Sequence, residues 1–281
     1  MGLRPHVPFW QTTRFRIDLA RPVVMGIVNV TPDSFSDGGQ HAGSRAALAH
    51  AARLLKEGAH ILDIGGESSR PGAPALSEEE EWQRVAPVLT ECLRWQVPIS
   101  LDTYKPVTMR RALDLGVDII NDIWGLRQPT AVAAVAAAKC GVCVMHMHGE
   151  PQTMQSQPMT GQIVKVVGDF LRERAQLLMA AGVAAPRIAL DPGVGFGKTV
   201  EQNFSLLARQ AELQSPDHPW LVGWSRKSSL GAVTGLSVEQ RQLPSVVAAV
   251  LAVERGAHIV RVHDVAETVA ALAVWQAARA I

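Results

Sequence analysis

The chain has 281 residues, enough for one large α/β barrel or two small domains, and 47% of them are hydrophobic, ample for a core. A net charge of +1 leaves no electrostatic footprint for nucleic acid or a membrane surface, and no apolar run approaches the ~20 residues that a membrane helix needs. Three cysteines suggest no disulfide framework, and no basic region followed by an apolar core opens the chain, so a reduced, cytoplasmic globular protein without a secretory leader is expected.

Residues 1–22 stand outside any regular alternation and are expected to form a short arm that closes one face of the domain spanning 23–281. The first strand, near 23–30, ends in Asn29 and breaks at Pro32 into a loop of Gly, Ser and Asp. Further strands are expected near 61–65, 98–102, 118–123, 142–147, 187–191, 220–224 and 259–263. Helical periodicity fills 44–57, 77–95, 106–115, 129–139, 163–181, 201–213, 244–255 and 264–279. Ser77 and Glu80 make a capping box at one helix start, with Glu78–Glu81 as its solvated first turn. Gly58, Gly116 and Gly256 each stand where a helix should end before a strand, a position that favours the left-handed conformation. Strict alternation of eight strands with eight helices predicts a single (β/α)8 TIM barrel; on pattern alone, an open doubly wound sheet is the alternative.

In such barrels chemistry sits at the carboxyl ends of the strands. The polar residues expected there are Asn29, Asp63, Asp102, Asn121, Asp191, Lys227, Arg261 and His263. Asp and Asn side chains can read the donors and acceptors of a flat heterocycle, and a Lys can donate to a ring nitrogen or carbonyl. Arg261 and His263 lie two apart on one strand, share a face, and suit an anionic oxygen cluster such as diphosphate. Asn29 offers a neutral oxygen for a hard cation such as Mg2+, whose other ligands are commonly waters and substrate phosphates.

Two segments in order, Met25–Gly39 and Asp63–Gly72, resemble the signatures of the dihydropteroate synthases. The segments 100–106, 116–122, 145–149, 190–198, 223–228 and 260–264 are similar in turn. The resemblance implies condensation of a 7,8-dihydropterin methyl diphosphate with p-aminobenzoate, giving 7,8-dihydropteroate and diphosphate with Mg2+ as cofactor. It implies a dissociative mechanism in which Asp102, Lys227, Arg261 and His263 are catalytic. By the same resemblance Asp102, Asn121, Met145, Asp191, Phe196, Gly223 and Lys227 hold the pterin, and Asn29, Arg70, Arg261 and His263 hold the diphosphate, with Asn29 on the metal. Phe35, Ser69, Pro71 and Ser228 match the p-aminobenzoate pocket. Family members are homodimers and sulfonamide targets, which implies a second copy of this chain as partner.

The chain departs from the family pattern at Ser69, where Thr is common, and at Tyr104, Trp124 and Trp224, where smaller residues are usual. Trp224 could narrow the site or pack outward on the helix layer. Cys140 and Cys143 have redox spacing but join a helix end to a strand start, which favours incidental core cysteines. The run 193–199 resembles a phosphate loop, but Pro192 occupies the place of its first glycine. His146 and His148 raise a metal-dependent hydrolase as a rival, although on the fifth strand rather than the first. A pterin-binding methyltransferase of the folate–corrinoid type shares the barrel, and a non-catalytic pterin or partner binder would lack Asn29, Arg261 or His263.

Overall fold

The computed structural model describes residues 8–30, 39–68, 75–149 and 159–279. An antiparallel pair comes first, β1 (Phe9–Gln11) and β2 (Arg16–Asp18). The alternation then runs β3 (Val23–Asn29), α1 (Gly39–Lys56), β4 (Ile61–Gly65), α2 (Glu78–Cys92), β5 (Ile99–Asp102), α3 (Pro106–Leu115), β6 (Ile119–Asp122), α4 (Pro129–Ala137), β7 (Gly141–Met145) and α5 (Ile163–Ala180). It continues with β8 (Ile188–Asp191), α6 (Val200–Ala208), β9 (Leu221–Val222), α7 (Ser228–Thr234), α8 (Gln242–Glu254), β10 (Ile259–Val262) and α9 (Val265–Arg279).

The eight strands from β3 to β10 form one parallel sheet in the order β8-β7-β6-β5-β4-β3-β10-β9. A parallel bridge between Leu190 and Trp220 joins the two ends, and Leu190 N–H donates to the Pro219 carbonyl at 2.8 Å. The result is the expected barrel. Successive residues of a strand face opposite sides, and this chain sorts them into two cores. Val24, Val28, Leu62, Ile64, Leu101, Ile120, Val142, Val144, Ile188, Leu190, Val222, Val260 and Val262 pack outward against the helices. Val23, Met25, Ile61, Ile119, Cys143, Ala189, Leu221 and Ile259 fill the lower barrel together with Trp10, Ile17 and Leu19 of the arm.

Among the described residues, 8–22 therefore lie against the amino-terminal end of the barrel. Trp10 is fully buried and its Nε1 donates to the Arg187 carbonyl at 2.9 Å. Arg14 pairs with buried Asp118 through Nε at 3.0 Å and Nη2 at 2.6 Å, and Asp118 also accepts the Ile99 N–H. Apolar side chains fill this end around the Arg14–Asp118 pair, and the polar residues at the carboxyl ends of the strands gather at the opposite mouth.

Local signals explain the element boundaries. Ser77 and Glu80 complete the capping box of α2. Gly58, Gly116 and Gly256 adopt φ of 101°, 97° and 97°, the left-handed values that end each helix and send the chain into β4, β6 and β10. Several boundaries differ from expectation. Helix α1 begins at Gly39 rather than at 44, and α2 ends at Cys92 rather than at 95. The strand expected at 220–224 shortens to Leu221–Val222, because Gly223 and Trp224 leave the ladder. The helix expected at 201–213 stops at Ala208 and gives way to a tighter turn at Gln210–Glu212. Helix α7 was not expected, since seven residues with Gly231 inside carry too few periods to read.

Candidate active site

Asp63, Asp102, Asn121 and Arg261 converge at the mouth. Asp63 on β4 is fully buried, and its Oδ2 accepts from Arg261 Nε at 2.6 Å and from Asn121 Nδ2 at 3.2 Å. Arg261 on β10 reaches across to donate from Nη2 to Asp102 Oδ2 on β5 at 2.7 Å. One guanidinium thus bridges two carboxylates, with Asn121 as a neutral third partner. Burial lifts the Asp102 carboxyl to about 7; Arg261 opposes this, and the negative charge of Asp63 adds to it. Burial works against the charge of Arg261, but Asp63 and Asp102 outweigh it and hold the guanidinium above its ordinary range.

Across the mouth stand Asp191 and Lys227. Asp191, at the end of β8, is 5% exposed, and its Oδ1 accepts the Gly193 N–H at 2.7 Å. Burial raises its carboxyl to about 6, against the pull of the Gly193 N–H and of Lys227. Burial lowers the Lys227 ammonium to about 8, helped by Arg261 and opposed by Asp191 and Asp102. Lys227 Nζ lies 4.0 Å from the centre of the Phe196 ring, a cation–π distance. Phe196 packs with Met145, Met147 and Ile123 into an apolar cluster separate from the two barrel cores, flanked by Tyr104 and Trp124. A carboxylate, an ammonium and an amide around an apolar wall can hold a flat, polar-edged ring.

The loop after β9 aims Lys227. Arg226 adopts φ 58°, uncommon for a side-chain-bearing residue. It is held by its own pair with Asp264 at 2.6 Å and by its N–H donating to Ser245 Oγ at 2.8 Å. Ser225 Oγ accepts the His263 N–H at 3.1 Å and lies 2.9 Å from His263 Nδ1, which fixes that ring beside Arg261. A Cβ on Gly223 would stand 3.9 Å from the Arg261 Cβ, so Gly223 lies beside the root of that side chain. Ser228 is exposed at the first turn of α7. Asn29 is exposed at the end of β3, opposite Gly65 of β4, where an amide oxygen could serve one position of a hard cation. Phe35, Ser69, Arg70 and Pro71 lie outside the described residues.

Several supporting residues escaped the sequence reading. Glu67, just beyond β4, accepts from Tyr104 Oη at 2.8 Å, from Lys105 Nζ and from the Leu76 N–H at 3.3 Å. It ties Leu76, nine residues on, back to the end of β5. Lys105 also pairs with buried Glu81 at 3.8 Å, and Glu81 accepts from Thr103 Oγ1 at 3.0 Å. Tyr104 was legible only as an oversized residue. Lys198 lies in the run that only resembles a phosphate loop, yet its buried Nζ donates to three carbonyls. Trp224 is 1% exposed and packs outward on Phe204, ring centres 5.3 Å apart, so it does not narrow the mouth; Trp124 is the tryptophan at the apolar wall.

The rival motifs find no chemistry. Cys140 and Cys143 are buried free thiols. Burial and nearby cations push His146 down to about 2, and its ring packs edge-on against Phe170 at 5.0 Å. Among the described residues, no three His, Cys, Asp or Glu side chains are grouped to share a metal ion.

The family model of pterin binding enzymes matches residues 25–263. Dihydropteroate synthase of Neisseria meningitidis serogroup C is 52% identical over 273 residues, covering 95% of this chain and 96% of that protein. Burkholderia cenocepacia dihydropteroate synthase, in its crystal structure complexed with 7,8-dihydropteroate, is 51% identical with a TM-score of 0.90 over 99% of this chain and 98% of that one. The Xanthomonas albilineans dihydropteroate synthase structure with 4-aminobenzoic acid is 49% identical with a TM-score of 0.89, over 95% and 96% of the two chains. With likeness running through nearly the whole chain and reaching every described strand end, the protein belongs to the pterin binding enzyme family, among the dihydropteroate synthases.

Proposed function

We propose that this mouth condenses a 7,8-dihydropterin methyl diphosphate with p-aminobenzoate, releasing diphosphate and 7,8-dihydropteroate. The observation that carries the reading is the placement of Asp191, Lys227 and Asn121 around the Phe196 and Met145 wall, beside the Asp63–Arg261–Asp102 bridge. Asp191 pairs with the amino edge of the pterin through charge-assisted hydrogen bonds. Lys227 and Asn121 donate to ring acceptors, and Phe196 and Met145 cover the ring faces. Gly223 leaves room for the ring beside Arg261.

Arg261 keeps donors beyond the two it gives to Asp63 and Asp102, since a guanidinium carries five N–H groups. Those donors and His263 take the diphosphate oxygens. The bond from methylene carbon to diphosphate oxygen breaks first, its electron pair leaving with the diphosphate. The positive charge left on carbon spreads into the ring, where ionised Asp102 stabilises it. The arylamine nitrogen then attacks the carbon and loses a proton. Asn29, which offers a single exposed oxygen, suits Mg2+ because that ion takes its remaining ligands from water and phosphate. Bound there, Mg2+ would neutralise charge on the departing diphosphate. Phe35, Ser69, Arg70 and Pro71 are assigned on the sequence resemblance to the amine and diphosphate ends, with Ser228, and sulfonamides compete at the amine slot.

The relatives reported above are synthases, which supports this reading over the folate–corrinoid methyltransferase. Supplying both substrates with Mg2+ tests it: dihydropteroate and diphosphate should form in equal amounts, and transfer of a methyl group instead would overturn it.

The working unit is a homodimer. Leu243, Val247 and Leu251 are 71%, 49% and 38% exposed at four-residue spacing on α8, an apolar stripe flanked by exposed Val233 and Val274. Light scattering should report a dimer that Val247→Glu converts to monomer. Cytoplasmic placement accords with three free buried cysteines; among the described residues, no helix is long and apolar enough to cross a membrane.

A further inference from the structure

We propose that Lys198 is a positioning residue for the ring pocket, locking the ends of β7 and β8 and the intervening 193–197 turn into one unit so that Met145, Asp191 and Phe196 address the same ligand. The inference rests on the ring assignment above and adds a residue that does not touch the ring.

Lys198 is 3% exposed. Its Nζ donates to the carbonyls of Gly193 at 2.7 Å, Phe196 at 3.1 Å and His146 at 3.2 Å. These acceptors come from three places that matter. His146 follows Met145 at the end of β7, Gly193 lies two residues past Asp191, and Phe196 carries the ring wall. An ammonium has three protons, and all three are used. None remains for a substrate, so Lys198 acts through the groups it holds.

The turn creates a need for such a donor. Gly193 and Gly197 adopt φ of 66° and 67°. A Cβ on Gly193 would overlap the His146 carbonyl oxygen, and one on Gly197 would stand 2.5 Å from the His148 carbonyl oxygen. Backbone is pressed on backbone here, which turns the His146, Gly193 and Phe196 carbonyls toward one point. Three converging carbonyl oxygens repel, and unpaired they would be costly to bury. The side chain of Asn203 braces the same turn from α6, with its Oδ1 accepting the Gly195 N–H at 2.9 Å.

The charge fits the place. Burial pulls the Lys198 ammonium down to about 7, Asp191 from β8 opposes this, and Lys227 beyond β9 and Arg127 beyond β6 add to it. His146 lies against it from β7 as a neutral ring. Lys198 is in turn one of the cations that favour the charged form of Asp191. It therefore supports the carboxylate as well as the turn that carries it.

The test measures binding of 6-hydroxymethylpterin by calorimetry and the KM for p-aminobenzoate at saturating pterin diphosphate, in the full chain. Lys198→Met keeps an unbranched side chain, one atom shorter, and removes all three donors. It should weaken pterin binding tenfold or more and leave the KM for p-aminobenzoate within about twofold. Lys198→Arg, which retains donors and charge, should recover most of the pterin affinity. If Lys198→Met does not fold, Lys198→Gln carries the comparison with Lys198→Arg. Wild-type pterin affinity in folded Lys198→Met or Lys198→Gln would overturn the inference, as would an equal loss for pterin and amine. Failure of the wild-type protein itself to bind the pterin would instead overturn the functional reading.

Discussion

Asp191→Asn should separate stability from function. The carboxyl group of Asp191 is 5% exposed and is raised by burial from 3.8 to about 6. A folded-state value above the unfolded one means that the protonated form is favoured in the native protein. Its contribution to stability is complete below the unfolded value and is lost as pH rises through the folded value. Above pH 6 the ionised side chain therefore costs the ligand-free protein about 3 kcal/mol, from ~1.4 kcal/mol per tenfold change in proton affinity. Asn keeps an oxygen for the Gly193 N–H and carries no charge. The variant should then gain up to about 3 kcal/mol at pH 8, or several degrees in Tm for a chain of this length. At pH 4 most of the gain should be gone. Pterin binding should fall by about 100-fold or more, because hydrogen bonds to a charged group are worth ~1.5–3 kcal/mol each and the ring's amino edge would lose such a pair. Urea melts from pH 4 to 8 and calorimetric titration with pterin measure both effects. A variant less stable than wild type at pH 8, or one that binds pterin normally, would refute the argument.

His263→Ala should weaken binding of diphosphate and of the pterin diphosphate while sparing a pterin without the diphosphate; equal weakening of both would place His263 in the ring pocket. Arg261→Ala should do the same and also destabilise the fold by about 3–5 kcal/mol, since it leaves Asp63 and Asp102 without their cation; unchanged urea midpoints would contradict the bridge. Pterin affinity should peak between about pH 6 and about pH 8, because Asp191 must be ionised and Lys227 protonated; a flat profile would remove one of them from the ring. Tyr104→Phe frees one Glu67 oxygen and should raise the KM for p-aminobenzoate with little change in pterin affinity; kinetics showing the reverse would put Tyr104 at the ring.

The barrel was legible because its punctuation is chemical. Gly58, Gly116 and Gly256 mark helix ends by a conformation that other residues resist, and the apolar runs that follow them carry a polar residue where the strand leaves the core. Asp102, Asn121, Asp191 and Arg261 could be placed at the mouth by that position, while the roles given to them rest on the resemblance. What the chain order hides is pairing. Asp63 was one polar residue among eight, and only the closed sheet, which sets β4 between β3 and β5 and brings β10 round to β3, makes it the shared partner of Arg261 and Asn121. Glu67 and Lys198 were missed for a similar reason. Lys198 works through three backbone carbonyls, which leave no trace in the residue string, and Glu67 through Tyr104, Lys105 and the Leu76 N–H, which only the folded chain brings to it. Helix α7 was missed because it is shorter than its own signal.

The barrel's closure is uneven, and the two ends of the site inherit the difference. Asn29, Asp63 and Arg261 stand on β3, β4 and β10, and the β10–β3 and β3–β4 ladders that join them run over four and five consecutive residues. Asp191, Gly223 and Lys227 flank the join between β8 and the two-residue β9, where one bridge at Leu190 and Trp220 completes the cylinder. The anion end is thus mounted on stiff hoops and the heterocycle end on the compliant stave. A small opening of that join widens the gap between Asp191 and Lys227 while leaving Arg261 and Asp63 in register. Discrimination should accordingly be strict for the charge and reach of the leaving group and forgiving for the thickness and substituents of the ring, with amide exchange at Leu221 and Val222 faster than at Leu62 and Ile64.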